Sequence, residues 1–512
     1  MALGVMGLVV ALSACTLVPR GGGVPGSHGW RPLLPALHAE PDPVSGGRVV
    51  DASGREVLLR GVNLNALVEY WRYGSFPTTF PLTDNDADLI SAAGWNTVRL
   101  LVSWSRVEPS PGVYDEQYLD QVARAVQMFE RRGVYSIIDF HQDAWGATLA
   151  APAGQTCPAG AEPAFGWDGA PGWATLDGGA SRCFPAGIRE LSPAVRAAFT
   201  AFWNDAPGPG GVGIRTRYTR MLGQVAARFA HVPAVAGYDV MNEPNAFGTT
   251  EVAALGRLTG DAVAAIRAGE RSRAGFPHLV FFEPSATWSD LGGGPQPPFP
   301  HDANVVFAPH IYRGGITSGP IQRSDFDRAR ADAATFGGVP VFVGEWGSAP
   351  SRADDPADVY FREHQALQDE FHFGASLWTW HESCGDPHKA GDARAGQLPY
   401  VWGEFDVDCR TNRITGLRQS LLDQLDRGYL RAAPGRLVAS TFDPASGVLH
   451  GAGANARPGT ALIAWYPAPV RRIRTLAAQG LTHLRVSSSG AGGGSYVTAF
   501  ATRASWAVTV GR

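Results

Sequence analysis

Two short apolar segments of this chain each end in a glutamate, and that pairing constrains the fold more than any other feature. Residues 235–244 read VAGYDVMNEP, a buried strand that stops at Asn242 and Glu243. Pro244 cannot donate to a strand ladder, so the strand ends there. Residues 339–347 read VPVFVGEWG, a second apolar strand that runs to Glu345. A carboxylate at the C-terminal tip of a buried strand is held rigidly and points into the crevice above the sheet. Taken alone, Asn242-Glu243-Pro244 reads equally well as a polar turn. The second strand of the same kind tips that balance. Two strand-end glutamates in a parallel barrel are what retaining glycoside hydrolysis requires, one as proton donor and one as nucleophile, with carboxyl groups roughly 5–5.5 Å apart.

The rest of the chain has the periodicity of such a barrel. Strand-like segments stand at 60–63, 96–102, 134–140, 235–241, 279–283, 305–309, 339–344 and 375–380. Helical patterns lie near 84–93, 115–132, 214–230, 251–268, 325–336, 357–371 and 415–426. Eight strands with helical crossovers predict an α/β fold, a (β/α)8 TIM barrel. The strands are apolar almost throughout, as parallel strands covered on both faces must be. A doubly wound sheet loses because no Gly-rich phosphate fingerprint follows the first strand. A hairpin at 49–59 precedes the barrel. From about residue 432 short strand-like segments separated by Gly, Pro, Asn and Ser read as a small C-terminal β-sandwich. The expected division is 1–15 leader, 16–45 linker, 46–430 catalytic barrel and 431–512 sandwich.

The 512 residues, 45% of them hydrophobic, suffice for one large core and a smaller second one. A net charge of −4 without a long basic run argues against a nucleic-acid partner. Residues 3–12 are small and apolar and lead into Leu12-Ser13-Ala14-Cys15, which resembles the lipobox of bacterial lipoprotein signal peptides. No Lys or Arg precedes that run, so an ordinary secretory signal is the other reading. Either way the chain is expected to be exported, secreted or lipid-anchored at the outer face of a bacterial cell membrane. The Gly/Pro-rich stretch at 20–43 then reads as a tether. Apart from Cys15 there are Cys157, Cys183, Cys384 and Cys409. Each close pair brackets a Gly/Pro-rich loop, which predicts bridges 157–183 and 384–409, worth about 3 kcal/mol each. A metal site is the weaker reading, with no CxxC or closely spaced His.

In a barrel of this kind the chemistry lies at the C-terminal strand ends. Those ends carry Asn63, Arg99, His141, Asp143, Asn242, Glu243, Glu283, His310, Tyr312, Glu345 and Trp378. Arg99 could equally be a buried structural ion pair, and His141 and His310 satisfied core histidines. Glu283 is expected to be structural or to stand in an outer layer behind the reacting carboxylates. Trp145, Trp167, Trp173 and Trp288 read either as sugar platforms or as loop packing.

Over residues 46–430 this set resembles glycoside hydrolase family 5. Arg99 in NTVR, His141 in FHQD, Asn242-Glu243-Pro244, His310-Ile311-Tyr312, Glu345 in GEWG, and Trp378 carry the resemblance. It implies Glu243 as acid/base and Glu345 as nucleophile. Asn63, Arg99, His141, Asp143, Asn242, His310, Tyr312 and Trp378 would surround the substrate, and no cofactor or metal is called for. A protonated Glu243 needs a raised pKa, which a nearby ionised Glu345 would provide. Within the family the closest resemblance is to endoglycoceramidases, which cleave between an oligosaccharide and ceramide. It rests on residues 140–145 (FHQDAW), the long Cys-bearing loop after strand three, the FEPS strand end and the C-terminal β-domain. It implies a glycolipid substrate, at a membrane surface, for a monomeric enzyme. Many members carry a lysine soon after strand one, whereas residues 65–71 (NALVEYW) hold none. A galactosylceramide-directed relative therefore fits at least as well as a glucosylceramide-directed one. Leu64, Leu67, Val68, Tyr70 and Trp71 are expected to line a channel for the lipid. The competing readings are a family 5 polysaccharide hydrolase of the β-glucanase type and a non-catalytic surface carbohydrate-binding protein, which would be expected to have lost one glutamate.

Overall fold

The computed structural model describes residues 32–185, 187–288, 296–299, 302–316, 319–349, 357–490 and 493–512. The leader at 1–15 and the first half of the expected linker lie outside the described residues. Eight parallel strands form the barrel: β1 (Arg60–Leu67), β2 (Thr97–Ser103), β3 (Tyr135–His141), β4 (Val235–Asp239), β5 (Leu279–Phe282), β6 (Val305–Phe307), β7 (Phe342–Trp346) and β8 (Gly374–Leu377). They pair in the order β6, β5, β4, β3, β2, β1, β8, β7. A parallel bridge between Phe307 and Val341 closes the ring, continued by Gly344 N–H on Pro309 O at 3.1 Å and Ile311 N–H on Glu345 O at 3.0 Å.

The expected strands are present, with shifted ends. Strand β7 starts later than expected and runs one residue past Glu345, which is a strand-end residue as expected. Alternation along each strand sorts the side chains. Val98, Leu100 and Val102 point outward into the core shared with the helices, while Leu101 joins an inward cluster with Val68, Tyr70, Tyr312 and Trp378. The helices follow from their pattern and caps. Helix Asp84–Ala92 opens with a capping box between Thr83 and Asp86, and helix Glu116–Glu130 with Asp115 accepting from Tyr118 N–H.

Two expectations need correcting. The helix expected over 415–426 is only Gln419–Leu425, because Phe405–Asp408 and Arg413–Leu417 pair as a hairpin turned at Asn412. The C-terminal unit is a sandwich of a seven-stranded and a four-stranded antiparallel sheet, but it is not built from the C-terminal segment alone. Strands Leu37–Glu40, Arg48–Asp51 and Arg55–Val57 extend the larger sheet through Arg55–Val57, which pairs with Tyr429–Pro434. The expected tether thus contains a strand, Leu37–Glu40. Residues 48–57, grouped with the barrel, belong to this larger sheet, with Leu37–Glu40 at its edge, and the first barrel strand starts only at Arg60.

The sandwich seats against the N-terminal ends of the barrel strands. Tyr429 Oη donates to Gly94 O at 2.9 Å and Arg431 Nη2 to Gly133 O at 2.6 Å, both in loops that lead into β2 and β3. The opposite end is left open for chemistry. Both disulfides form as expected, Cys157–Cys183 and Cys384–Cys409, each tying a loop at that open end. Among the described residues no helix is long and apolar enough to cross a membrane.

Candidate active site

Arg99, on β2, is fully buried at the floor of the open end. Its guanidinium meets Asp139 at 2.9 Å, Asp239 at 3.0 Å, Glu283 at 2.9 Å and Glu345 at 2.8 Å. Burial alone would discharge it, but these carboxylates outweigh burial and hold it protonated. It also donates to Asn63 Oδ1 at 3.1 Å and Asn242 Oδ1 at 2.9 Å. Every donor of the fork is therefore committed to the protein. Asn63 is likewise fully buried and gives its amide to the carbonyls of Gly344, Ser376 and Leu377. Both were expected around the substrate. They lie beneath it, as the scaffold that orients the carboxylates, because inward residues this deep in a barrel fill its interior.

The two glutamates converge above that floor. One carboxylate oxygen of Glu243, one of Glu345 and one ring nitrogen of His310 all lie within 4.8 Å of one another. Glu345 accepts from Arg99 through Oε1 and from the Tyr312 hydroxyl through Oε2 at 2.8 Å. Its two best donors fix both oxygens of the group expected to be the nucleophile. Glu243 is the more open of the two, with 26% of its side chain exposed against 6% for Glu345. That suits a group that must reach a leaving atom.

Glu243 sits at φ 37°, in the left-handed region that a non-glycine residue occupies only under constraint. The constraint is visible. Its amide donates to Glu283 Oε2 at 2.9 Å, and Gln142 Nε2 donates to the carbonyls of Asn242 and Glu243 at 2.7 and 2.9 Å. Glu283, expected in a structural or outer-layer role, is the post that positions Glu243. Gln142 was not singled out in the sequence at all. Its place beside the FHQD histidine was the available signal.

His310 is wedged among three carboxylates. Its Nδ1 lies 2.9 Å from Glu243 and 3.6 Å from Glu345, and its Nε2 3.2 Å from Glu283. Gly344 permits this approach, since a Cβ there would stand 2.9 Å from Nε2. Burial disfavours the imidazolium, but Glu283, Glu345 and Glu243 together raise its pKa well above the ordinary value. The consequence for Glu243 corrects the expectation of a raised pKa. Burial does push it up, but the hydrogen bond and charge of His310 more than offset this, and the carboxyl is held below its usual range. In the free site His310 thus favours the imidazolium form, one hydrogen bond from Glu243.

To one side lie the remaining expected residues. His141 and Trp378 stack with ring centroids 5.6 Å apart and planes 12° apart. His141 Nδ1 is held by Asp139 at 2.7 Å, and its Nε2 faces Asp143 at 3.8 Å. Asn242 has one amide N–H on Gln142 O at 3.1 Å and a second N–H uncommitted. Trp145 and Trp288 are core residues, Trp173 packs against that core, and Trp167 alone of the four approaches the site, beneath Arg189 at 4.1 Å. Of the expected lipid channel, Leu64 is fully buried in the barrel core and Leu67 packs against it, since both face the helices. Val68 and Tyr70 do border the site, and Trp71 forms a half-buried aromatic wall with Tyr73 and Phe165.

Residues 50–383 match the family model described as cellulase, glycosyl hydrolase family 5. The chain belongs to glycosyl hydrolase family 5. This family 5 chain is 31% identical over 292 residues to endoglycoceramidase I of Rhodococcus hoagii (strain 103S), covering 52% of each. It spans about half or less of the length of the curated relatives it matches. Among solved structures it resembles an endogalactoceramidase, with 35% identity and a TM-score of 0.82 over 93% of this chain and 100% of that one. It also resembles endo-glycoceramidase II from Rhodococcus sp. in complex with a cellobiose-like imidazole, with 25% identity and a TM-score of 0.67 over 90% and 98%. The resemblance read from the sequence is therefore to the right family and, within it, to endoglycoceramidases.

Proposed function

We propose that this family 5 hydrolase is a retaining endo-β-glycosidase that cleaves the bond between a glycan and ceramide in glycosphingolipids. The observation that carries the chemistry is that one oxygen of Glu243 and one of Glu345 lie within 4.8 Å of each other, which fits the short carboxyl separation of a retaining enzyme and a covalent intermediate. Glu345 attacks the anomeric carbon while Glu243 delivers a proton to the departing oxygen, drawing it from His310. Ceramide leaves as the neutral alcohol. Water then attacks the glycosyl ester, Glu243 takes its proton, and the bond to Glu345 breaks with the anomeric configuration retained.

Similarity to an endoglycoceramidase and an endogalactoceramidase supports the substrate class. So does the aromatic wall of Trp71, Tyr73 and Phe165 beside the site. In this reading the chain works as a monomer at the membrane surface that holds its substrate. The apolar run ending in Cys15 supports export, with secretion or lipid anchoring at the outer face of a bacterial membrane. Thin-layer chromatography of digests of gangliosides, galactosylceramides and a soluble β-glucan tests the reading. Release of an intact oligosaccharide plus ceramide supports it. Rapid hydrolysis of the glucan with the glycolipids untouched would replace it with a polysaccharide hydrolase.

A further inference from the structure

The C-terminal sandwich carries a large excess of positive charge. Residues 431–512 hold nine arginines, no lysine and a single acidic side chain, Asp443. The whole chain carries −4, so eight net positive charges here stand against twelve net negative ones elsewhere. The fold absorbs little of this excess. Arg436 pairs with Asp42 at 3.1 Å, and Arg431 is buried on the Gly133 carbonyl. Arg457, Arg471, Arg472, Arg474, Arg485 and Arg503 are exposed, and among the described residues no carboxylate stands at ion-pair distance from any of them.

These six gather where the two sheets present their free edges. Arg471, Arg472 and Arg474 lead into Thr475–Gln479, an edge strand of the four-stranded sheet that is exposed along its whole length. The turn at Val470–Arg472 packs against Leu481–Ser488, an edge strand of the larger sheet, which carries Arg485. Arg503 lies over Gly480, the link between the two edge strands, where a Cβ would stand 3.0 Å from its Cγ. Around the same edge, Arg457 and Arg485 line an open groove of about 1170 Å3 with Phe500 and Leu33. Leu33, Val470, Leu476 and Phe500 are exposed apolar side chains set among the arginines.

That mixture selects the partner. Like charges held together without counter-charges call for an anionic surface. A soluble polyanion would satisfy the arginines and leave the apolar side chains in water. An anionic bilayer satisfies both, with acidic headgroups for the arginines and a headgroup boundary into which the apolar side chains dip. The direction of docking follows from the fold. The sandwich seats on the N-terminal ends of the barrel strands, whereas Glu243 and Glu345 stand at the C-terminal ends. Residues 32–35 run on the sandwich side too, with the Tyr135 hydroxyl donating to the Pro35 carbonyl at 2.8 Å.

We propose that the free edge of the C-terminal sandwich is a docking surface for an anionic phospholipid bilayer. It holds the barrel by its closed end and leaves the mouth facing away from that bilayer. Resting here on the glycosidase reading, the glycolipid that the mouth meets then belongs to a different surface from the one that holds the protein.

Co-sedimentation of the full chain with phosphatidylcholine vesicles and with mixed phosphatidylcholine–phosphatidylglycerol vesicles tests this. The wild type should prefer the anionic vesicles, with affinity falling as salt rises. Combined Arg471→Gln, Arg472→Gln and Arg474→Gln should weaken that binding on the order of 100-fold, the effect of removing three arginines from an anionic leaflet. Val470→Ser with Leu476→Ser should weaken it while leaving the salt dependence intact. All these variants should hydrolyse a small aryl glycoside as the wild type does. So should the wild type bound to anionic vesicles, because its mouth stays free. Equal binding to both vesicle types, or an unchanged triple variant, overturns the docking surface. Binding indifferent to Val470→Ser with Leu476→Ser, and equally tight on soluble polyphosphate, overturns it in favour of a polyanion. Loss of aryl glycoside turnover on the bound protein overturns the orientation. A protein that hydrolyses no glycoside in solution, yet prefers anionic vesicles through the three arginines, removes the hydrolase reading and leaves the docking surface standing.

Discussion

Glu243 and His310 stand 2.9 Å apart, and there His310 favours the imidazolium form and Glu243 the carboxylate. That distinguishes this site from one in which a lone glutamate is kept protonated by burial. Replacing His310 with Asn removes that cation and leaves Glu243 facing Glu345, Asp143 and Arg189. Since the free enzyme's acid sets the alkaline limb of kcat/KM, that limb should move to lower pH in the variant. An unmoved limb would show that the pair does not hold the catalytic proton. Glu345→Gln and Glu243→Gln should each lower turnover by several orders of magnitude with unchanged circular dichroism. Azide should rescue only Glu243→Gln, on an activated aryl glycoside and with retained configuration, because a good leaving group needs no proton. Much of this was legible in the sequence. Residue type and strand-end position identified both glutamates, Tyr312 and His310. Depth was not legible: Asn63 and Arg99 occupy strand ends in sequence, but pairing of Asn63 with Arg99 across β1 and β2 sets them one layer below the substrate. Nor could spacing reveal Glu283 and Gln142, whose value lies in the carbonyls and amide they hold across the barrel.

At the scale of elements, the loops decide what the barrel acts on. Trp71, after β1, stands 6.0 Å from Phe165, which the Cys157–Cys183 loop presents, and Phe165 stands 5.9 Å from Phe184. Each ceramide CH2 buried on such a wall contributes about 0.8 kcal/mol. Shortening the lipid should therefore raise KM in steps. Trp71→Ser with Phe165→Ser should impair cleavage of the long-chain substrate far more than that of a small aryl glycoside. A KM indifferent to lipid length, in wild type and variant alike, would remove this wall from substrate binding. Sequence pattern located Trp71 but grouped it with Leu64 and Leu67, which β1 turns towards the helices. The apolar run alone could not separate inward from outward positions, because strands of a parallel barrel are apolar on both faces. The strand at 37–40 escaped, and the two strands of the hairpin at 49–59 were legible without the sheet they join, for a related reason. They are three or four residues long and acquire meaning only when Tyr429–Pro434 returns to pair with Arg55–Val57.

The whole molecule joins its two units through the barrel's N-terminal end, where the Trp465 ring fills the space over Gly94 so tightly that a Cβ there would lie 2.1 Å from it. Burial on this scale traps carboxyls. It raises the pKa of Glu56 and Asp426 to about 7 and of Asp168 to about 7, and that of Glu404 to about 8. The unfolded chain has released these protons well below pH 6.5, whereas the folded chain releases them only on passing pH 7–8. Stability must therefore fall as pH rises through that window. His141, His310 and His388, whose pKa values are raised in the fold, act in the same direction, whereas His364, His372 and His381, lowered by burial, oppose it below about pH 7 and have no further effect above. Melting midpoints at constant ionic strength should drop between about pH 6.5 and 8, and Glu404→Gln should flatten the slope. A midpoint that is level or rising over that range would contradict the burial argument.

The central claim is that one glutamate pair at the mouth of this barrel cleaves the glycan–ceramide bond with retention. Hydrolysis of a glycosphingolipid in 18O-labelled water tests it most directly, with mass spectrometry and early-time proton NMR of the products. The account predicts an intact oligosaccharide carrying 18O at its reducing carbon and appearing first as the β-anomer, together with unlabelled ceramide. An oligosaccharide appearing first as the α-anomer, 18O in the ceramide, or release of single sugars from the far end of the glycan would contradict it.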